Sequence, residues 1–120
     1  MRSDRPNLIV DFTLKFALEI IKYAELLEDQ RKYVVAKQIL KSGTSIGANV
    51  REAQNAESKA DFIHKLKIAA KEADETEYWL QLCRLSENYP NPTDLEQKLK
   101  SVINMLSKII STSKQNAKVY

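Results

Sequence analysis

Apolar side chains recur at alternating four- and three-residue spacing along almost the whole chain, the period of one face of an α-helix. In the first run Val10, Leu14, Ala17, Ile21 and Ala24 keep this rhythm, and a second stripe of Phe12, Phe16, Ile20, Tyr23 and Leu27 widens the same apolar face. Val35, Ile39, Ser42, Ile46, Asn49 and Ala53 carry it through a second run. A third holds Phe62, Leu66, Ala69, Ala73, Thr76, Leu80 and Cys83, and a fourth Leu95, Leu99, Val102, Leu106, Ile109 and Ser113. Strands alternate faces every second residue and cannot use this pattern. Two glycines and three prolines in 120 residues are also too few turn formers for a sandwich or barrel. The period predicts an all-α, up-and-down four-helix bundle, one domain over residues 1–120, with helices at about 9–28, 31–54, 58–86 and 93–113.

Local signals set those limits. Asn7 or Asp11 suits the first cap, and Glu28-Asp29-Gln30 ends that helix. Ser58 with Asp61, and Thr93 with Glu96, read as capping boxes. Asn88-Tyr89-Pro90-Asn91-Pro92 is the clearest break. The Ser/Lys/Asn-rich tail after Ser111 is expected to fray. Leu8, Ile9 and Val10 are followed at once by Asp11, so no signal peptide is expected. No run approaches the roughly 18 apolar residues of a membrane span, and a cytoplasmic location with no membrane partner is expected. One cysteine, Cys83, excludes an internal disulfide and a thiolate zinc cluster. One histidine, His64, excludes a two-histidine metal site, and it falls on the side opposite the seam. No cofactor, metal or small-molecule substrate is expected.

The second helix holds both glycines, in Ser42-Gly43-Thr44-Ser45-Ile46-Gly47-Ala48-Asn49. Each glycine costs about 1 kcal/mol relative to alanine in a helix interior. Close approach of another helix offsets that cost, and Ala36, Gly43, Gly47 and Val50 share a strip beside the seam. The strip suits packing either within the bundle or between subunits. A kink at the glycines fits less well, because the apolar period continues in phase on both sides. Ser42 and Asn49 occupy inward positions and need partners, for which Thr76, Glu52 or Glu72 are candidates. A hydrogen bond between helices that fixes register is favoured over a polar pocket.

Charge is segregated along the chain. Residues 31–51 carry net +5 and residues 97–120 net +5, whereas residues 72–96 carry net −6. Lys37, Lys41 and Arg51 share one side of the second helix, with small Thr44 and Ala48 between them, turned away from the seam. Small residues between cations let a phosphate backbone approach closely, and Arg31 and Lys32 extend the positive charge. These five residues are the candidate contacts for RNA or DNA. The opposing possibility is a solvated lysine face. Glu72, Asp74, Glu75 and Glu77 lack the Glu-x-x-His pairs of a di-iron bundle and read as a solvated face or one meeting a neighbouring subunit's lysines. Ile68, Trp79 and Leu82 form a second apolar strip off the seam of the third helix. Together with Gly43, Gly47 and Val50 they are the candidate oligomer interface, unless Trp79 packs as ordinary core.

Two stretches resemble one family: Gln38 through Ala53, with Ser45, Ile46, Asn49 and Glu52 as its specific part, and Asp61 through Leu80. Both look like the four-helix-bundle proteins encoded in intervening sequences of bacterial 23S ribosomal RNA genes. Accessory variability proteins of diversity-generating retroelements are similar to that group. Many members have glycine after the glutamate where this chain has Ala53, so the second helix is free to run on. The resemblance implies a closed ring, typically a homopentamer, association with nucleic acid through a basic surface, and no catalytic residues. The expected function is therefore a non-enzymatic oligomeric bundle that binds RNA or DNA through a basic face. The alternative is a protein–protein adaptor or structural assembly whose lysines serve solubility alone.

Overall fold

Asn7 opens the first helix: its side-chain oxygen accepts from the Val10 amide at 3.5 Å, and its amide group donates to Gln54 at 2.6 Å. The computed structural model that contains this cap describes residues 7–119, with side chains through Asn116. Four helices follow in order: α1 (Leu8–Asp29), α2 (Tyr33–Ala53), α3 (Lys59–Leu85) and α4 (Thr93–Val119). Each packs against the next, and α4 closes the bundle against α1. The fold is an all-α, up-and-down four-helix bundle.

The turns show why the helices stop where they do. The Lys32 amide donates to the Leu27 carbonyl at 2.8 Å and the Arg31 amide to Glu28 at 2.9 Å, the paired bonds of a Schellman cap. Arg31 takes the left-handed position at φ 63°, usually a glycine, so α2 starts at Tyr33 rather than Arg31. Ser58 caps α3 by accepting from the Asp61 amide at 3.0 Å. Asn91 takes the corresponding part ahead of α4, accepting from the Thr93 amide at 3.0 Å. Glu96 pairs with Arg84 of α3 instead of closing a capping box.

Two further expectations are corrected. The tail beyond Ser111 remains helical to Val119. Arg84 beside Glu96 sets an antiparallel register that runs this segment alongside the start of α3, and Ser113, in phase with Leu106, stays buried. In α1 the stripe that turns inward is Phe16, Ile20, Tyr23 and Leu27, joined by Ile9, Thr13 and Ala24. Leu14 and Ile21, read as seam positions, are 48% and 38% exposed.

The core joins these α1 residues to Ile39, Ile46 and Val50 of α2, Leu66 and Leu80 of α3, and Leu99, Val102 and Leu106 of α4. Small Ala69, Ala73 and Thr76 of α3 let α2 approach closely. Buried Ser42 and Thr76 share a hydrogen bond of 3.0 Å across that contact. Asn49 is half-buried and donates to its own helix at the Ser45 carbonyl, 2.8 Å away.

Candidate nucleic-acid interface

Every fourth or third residue of α2 returns to the same side, and the outward side carries Lys37, Lys41 and Arg51, all exposed. From Lys37 to Arg51 the stripe spans roughly 21 Å at about 1.5 Å per residue. Thr44 and Ser45 turn their hydroxyls back to the carbonyls of Leu40 and Lys41, each at 2.6 Å. The surface between the cations is therefore low: the Thr44 methyl and Ala48. Among the described residues no carboxylate lies within ion-pair distance of these three cations. Other cations are matched: Lys98 meets Glu19 and Asp94, and the hydrogen bonds to those carboxylates hold its ammonium above its ordinary pKa.

The five candidate cations do not form one cluster. Arg31 belongs to the Schellman turn rather than to α2. Lys32 precedes the helix and places its ammonium 4.8 Å from the centre of the Tyr89 ring, a cation–π contact at the bundle's end. The continuous stripe is Lys37, Lys41 and Arg51.

Half of the predicted oligomer surface is used inside the protomer. A Cβ on Gly43 would lie 2.8 Å from the Ile20 side chain, and one on Gly47 would lie 3.3 Å from the Thr13 carbonyl oxygen. Gly43 and Val50 are buried against the bundle, so neither has surface to offer a second chain. The small residues serve the α1–α2 contact: the Ile20 side chain leaves no room for a Cβ on Gly43, and Thr13 leaves only a tight fit for one on Gly47. Ile68, Trp79 and Leu82 are half-buried. Trp79 packs against the core and meets Tyr78 edge-on, with ring centres 5.6 Å apart. Its indole N–H is buried and finds no acceptor among the described residues.

What the sequence did not single out is the outer surface of α1. Leu14, Leu18 and Ile21 stand 48%, 54% and 38% exposed, and Leu40 of α2 is 39% exposed. The signal was present: two apolar stripes on one helix cover more of its circumference than a bundle needs.

His64 is exposed. Cys83 is buried, and desolvation raises its thiol pKa, keeping it a neutral core filler. A groove of about 390 Å³ between α1 and α4 is walled by Phe12, Phe16 and Leu18 with Lys15, Lys22 and the Glu19–Lys98 pair at its rim. Among the described residues no three His, Cys, Asp or Glu side chains gather as a metal site, and no helix is long and apolar enough to cross a membrane.

Comparison with known proteins adds two similarities. Residues 7–111 match the family described as 23S rRNA-intervening sequence protein. The fold is similar to the crystal structure of a protein of unknown function from the S23 ribosomal protein family of Bacteroides thetaiotaomicron VPI-5482. The two are 46% identical with a TM-score of 0.80, over 85% of this chain and 97% of that one. No curated protein matches.

Proposed function

The chain belongs to the 23S rRNA-intervening sequence protein family, and we propose that it is a non-enzymatic, homo-oligomeric bundle that holds RNA or DNA on the outer side of α2. One observation carries this: Lys37, Lys41 and Arg51 are exposed, unmatched by carboxylates among the described residues, and separated by small side chains. Phosphates reach such a stripe without steric obstruction, and each contact releases a condensed counterion. A stripe of cations separated by small side chains suits phosphates, so binding is expected to follow backbone charge. A closed ring, a pentamer by the family resemblance, would multiply a stripe that is weak in one protomer.

The test is a salt series with labelled RNA and DNA. Three phosphate contacts per protomer give a log–log slope of about −2 on single strands and about −3 on duplex. Lys37→Glu/Lys41→Glu/Arg51→Glu should lose most binding and flatten that slope. Since all three residues are exposed, the variant should keep its helical circular dichroism. Equal binding by parent and variant would reject the interface. The adaptor alternative has its own support in exposed Leu14, Leu18 and Tyr78. It predicts a protein partner whose binding is insensitive to salt.

A further inference from the structure

The cations of α2 border an apolar groove. It lies between α1 and α2, has a volume of about 210 Å³, and is walled by Val10, Leu14 and Ala17 on one side and Thr44, Ala48 and Arg51 on the other. The second wall is the edge of the basic stripe itself. Gly47, closed against Thr13, adds backbone to the lining and no side chain. Thr13 and Thr44 donate their hydroxyl protons to the Ile9 and Leu40 carbonyls of their own helices, at 2.7 and 2.6 Å. The lining is therefore small or aliphatic apart from Arg51, and among the described residues no carboxylate belongs to it. Leu14 stands exposed on its outer wall.

Apolar surface beside unmatched cations suits a ligand that carries both a charged backbone and apolar faces. Nucleic acid has both, but a duplex hides its base faces in the stack. Only an unpaired strand offers a base to such a groove while its phosphates stay on the cations. Size agrees. An apolar cavity of about 150 Å³ holds a benzene ring, so this groove has room for one pyrimidine ring. Its α1 wall, from Val10 to Ala17, covers about 10 Å of helix.

We infer that the α1–α2 groove seats an unpaired base of the strand held on Lys37, Lys41 and Arg51, which makes the ligand single-stranded RNA or DNA rather than duplex. The inference rests on the interface proposed above and narrows what that interface holds. Aliphatic walls touch the face of a ring and leave its edges unread, so the contact tolerates any sequence. Arg51 serves both parts, because a guanidinium pairs with phosphate and also lies flat on a ring. Charge alone predicts the opposite preference. Each phosphate contact releases about 0.9 of a counterion from duplex and about 0.7 from a single strand. A stripe that met only charge would favour duplex at low salt, so preference for the single strand reports the groove.

The test compares labelled oligouridylate and oligothymidylate with RNA and DNA duplexes of equal length, at one salt concentration. The parent should hold the single strands about fivefold tighter. Leu14→Asn should bring that ratio toward one. Leu14→Tyr offers the base an aromatic face and should raise it, a gain that disturbed folding would not produce. A parent that binds duplex as tightly as single strands, or a ratio that both Leu14 variants leave unchanged, would overturn the groove. If the Lys37→Glu/Lys41→Glu/Arg51→Glu variant still loses binding in that case, the groove falls and the stripe stands. A parent that binds no nucleic acid overturns both.

Discussion

Gly43 and Arg31 invert the usual distribution of residues in a helical protein. The left-handed cap after α1, where glycine is cheapest, holds an arginine at φ 63°, while both glycines sit inside α2 at negative φ. Close packing explains the second half of that inversion. Alanine at Gly43 would gain about 1 kcal/mol of helix propensity but drive its Cβ into branched, fully buried Ile20. Gly43→Ala should therefore lose roughly 1–2 kcal/mol net in urea unfolding. Gly47→Ala, whose Cβ would stop 3.3 Å from the Thr13 carbonyl, should change stability by less than half as much. Tyr23 supplies the pH response. Its hydroxyl donates to the Pro90 carbonyl at 2.6 Å, tying α1 to the α3–α4 turn. Burial first, then the neighbouring Cys83, raises its pKa far above the ordinary value of about 10. The folded state keeps the phenol protonated at pH values where the unfolded chain has released it. Its contribution is complete below about pH 10 and falls as pH climbs toward the folded value, by up to about 1.4 kcal/mol per unit. Alkaline titration followed by circular dichroism should show Tyr23→Phe less stable than the parent at pH 7, with the gap narrowing above about pH 10.

At the scale of elements, helix existence was legible in the sequence because the apolar period is unbroken, and caps such as Ser58 were legible because they need only local chemistry. What was not legible needed a partner. The α1 sequence offers two apolar stripes at equal spacing, and only packing against α2, through Gly43 on Ile20, decides that Phe16 and Ile20 turn inward while Leu14 and Leu18 remain outside. The continuation of α4 to Val119 likewise depends on α3 lying alongside, which overrides the weak helix preference of Ser111, Thr112 and Ser113. The bond between Ser42 and Thr76 is the clearest case of an inward polar pair finding itself across two elements. Thr76→Val should cost about 1–3 kcal/mol, since it leaves the Ser42 hydroxyl buried without that partner. Ser42→Ala/Thr76→Val removes both groups and should recover much of the loss. Additive costs in that double-mutant cycle would show that the pair does not act as a unit.

At the scale of the whole molecule, the segregated charge read from the sequence survives folding: Lys37, Lys41 and Arg51 of α2 and Asp74, Glu75 and Glu77 of α3 are exposed, with no ion-pair partner among the described residues. The candidate cations were legible as types and spacing. Their neutrality or freedom was not, because that depends on which carboxylates the topology brings near: among the described residues it gives Glu96 to Arg84 and Glu19 to Lys98, and none to Lys37. Two kinds of association follow, and salt separates them. Nucleic-acid contact draws its free energy from counterion release and falls steeply as salt rises. Contact between copies through exposed apolar side chains such as Leu14, Leu18 and Tyr78 would be driven by burial, which salt does not weaken. In one salt titration read by both mass and RNA binding, RNA should dissociate first and the assembled protein should persist. The opposite order would mean that charge rather than apolar burial holds the copies together.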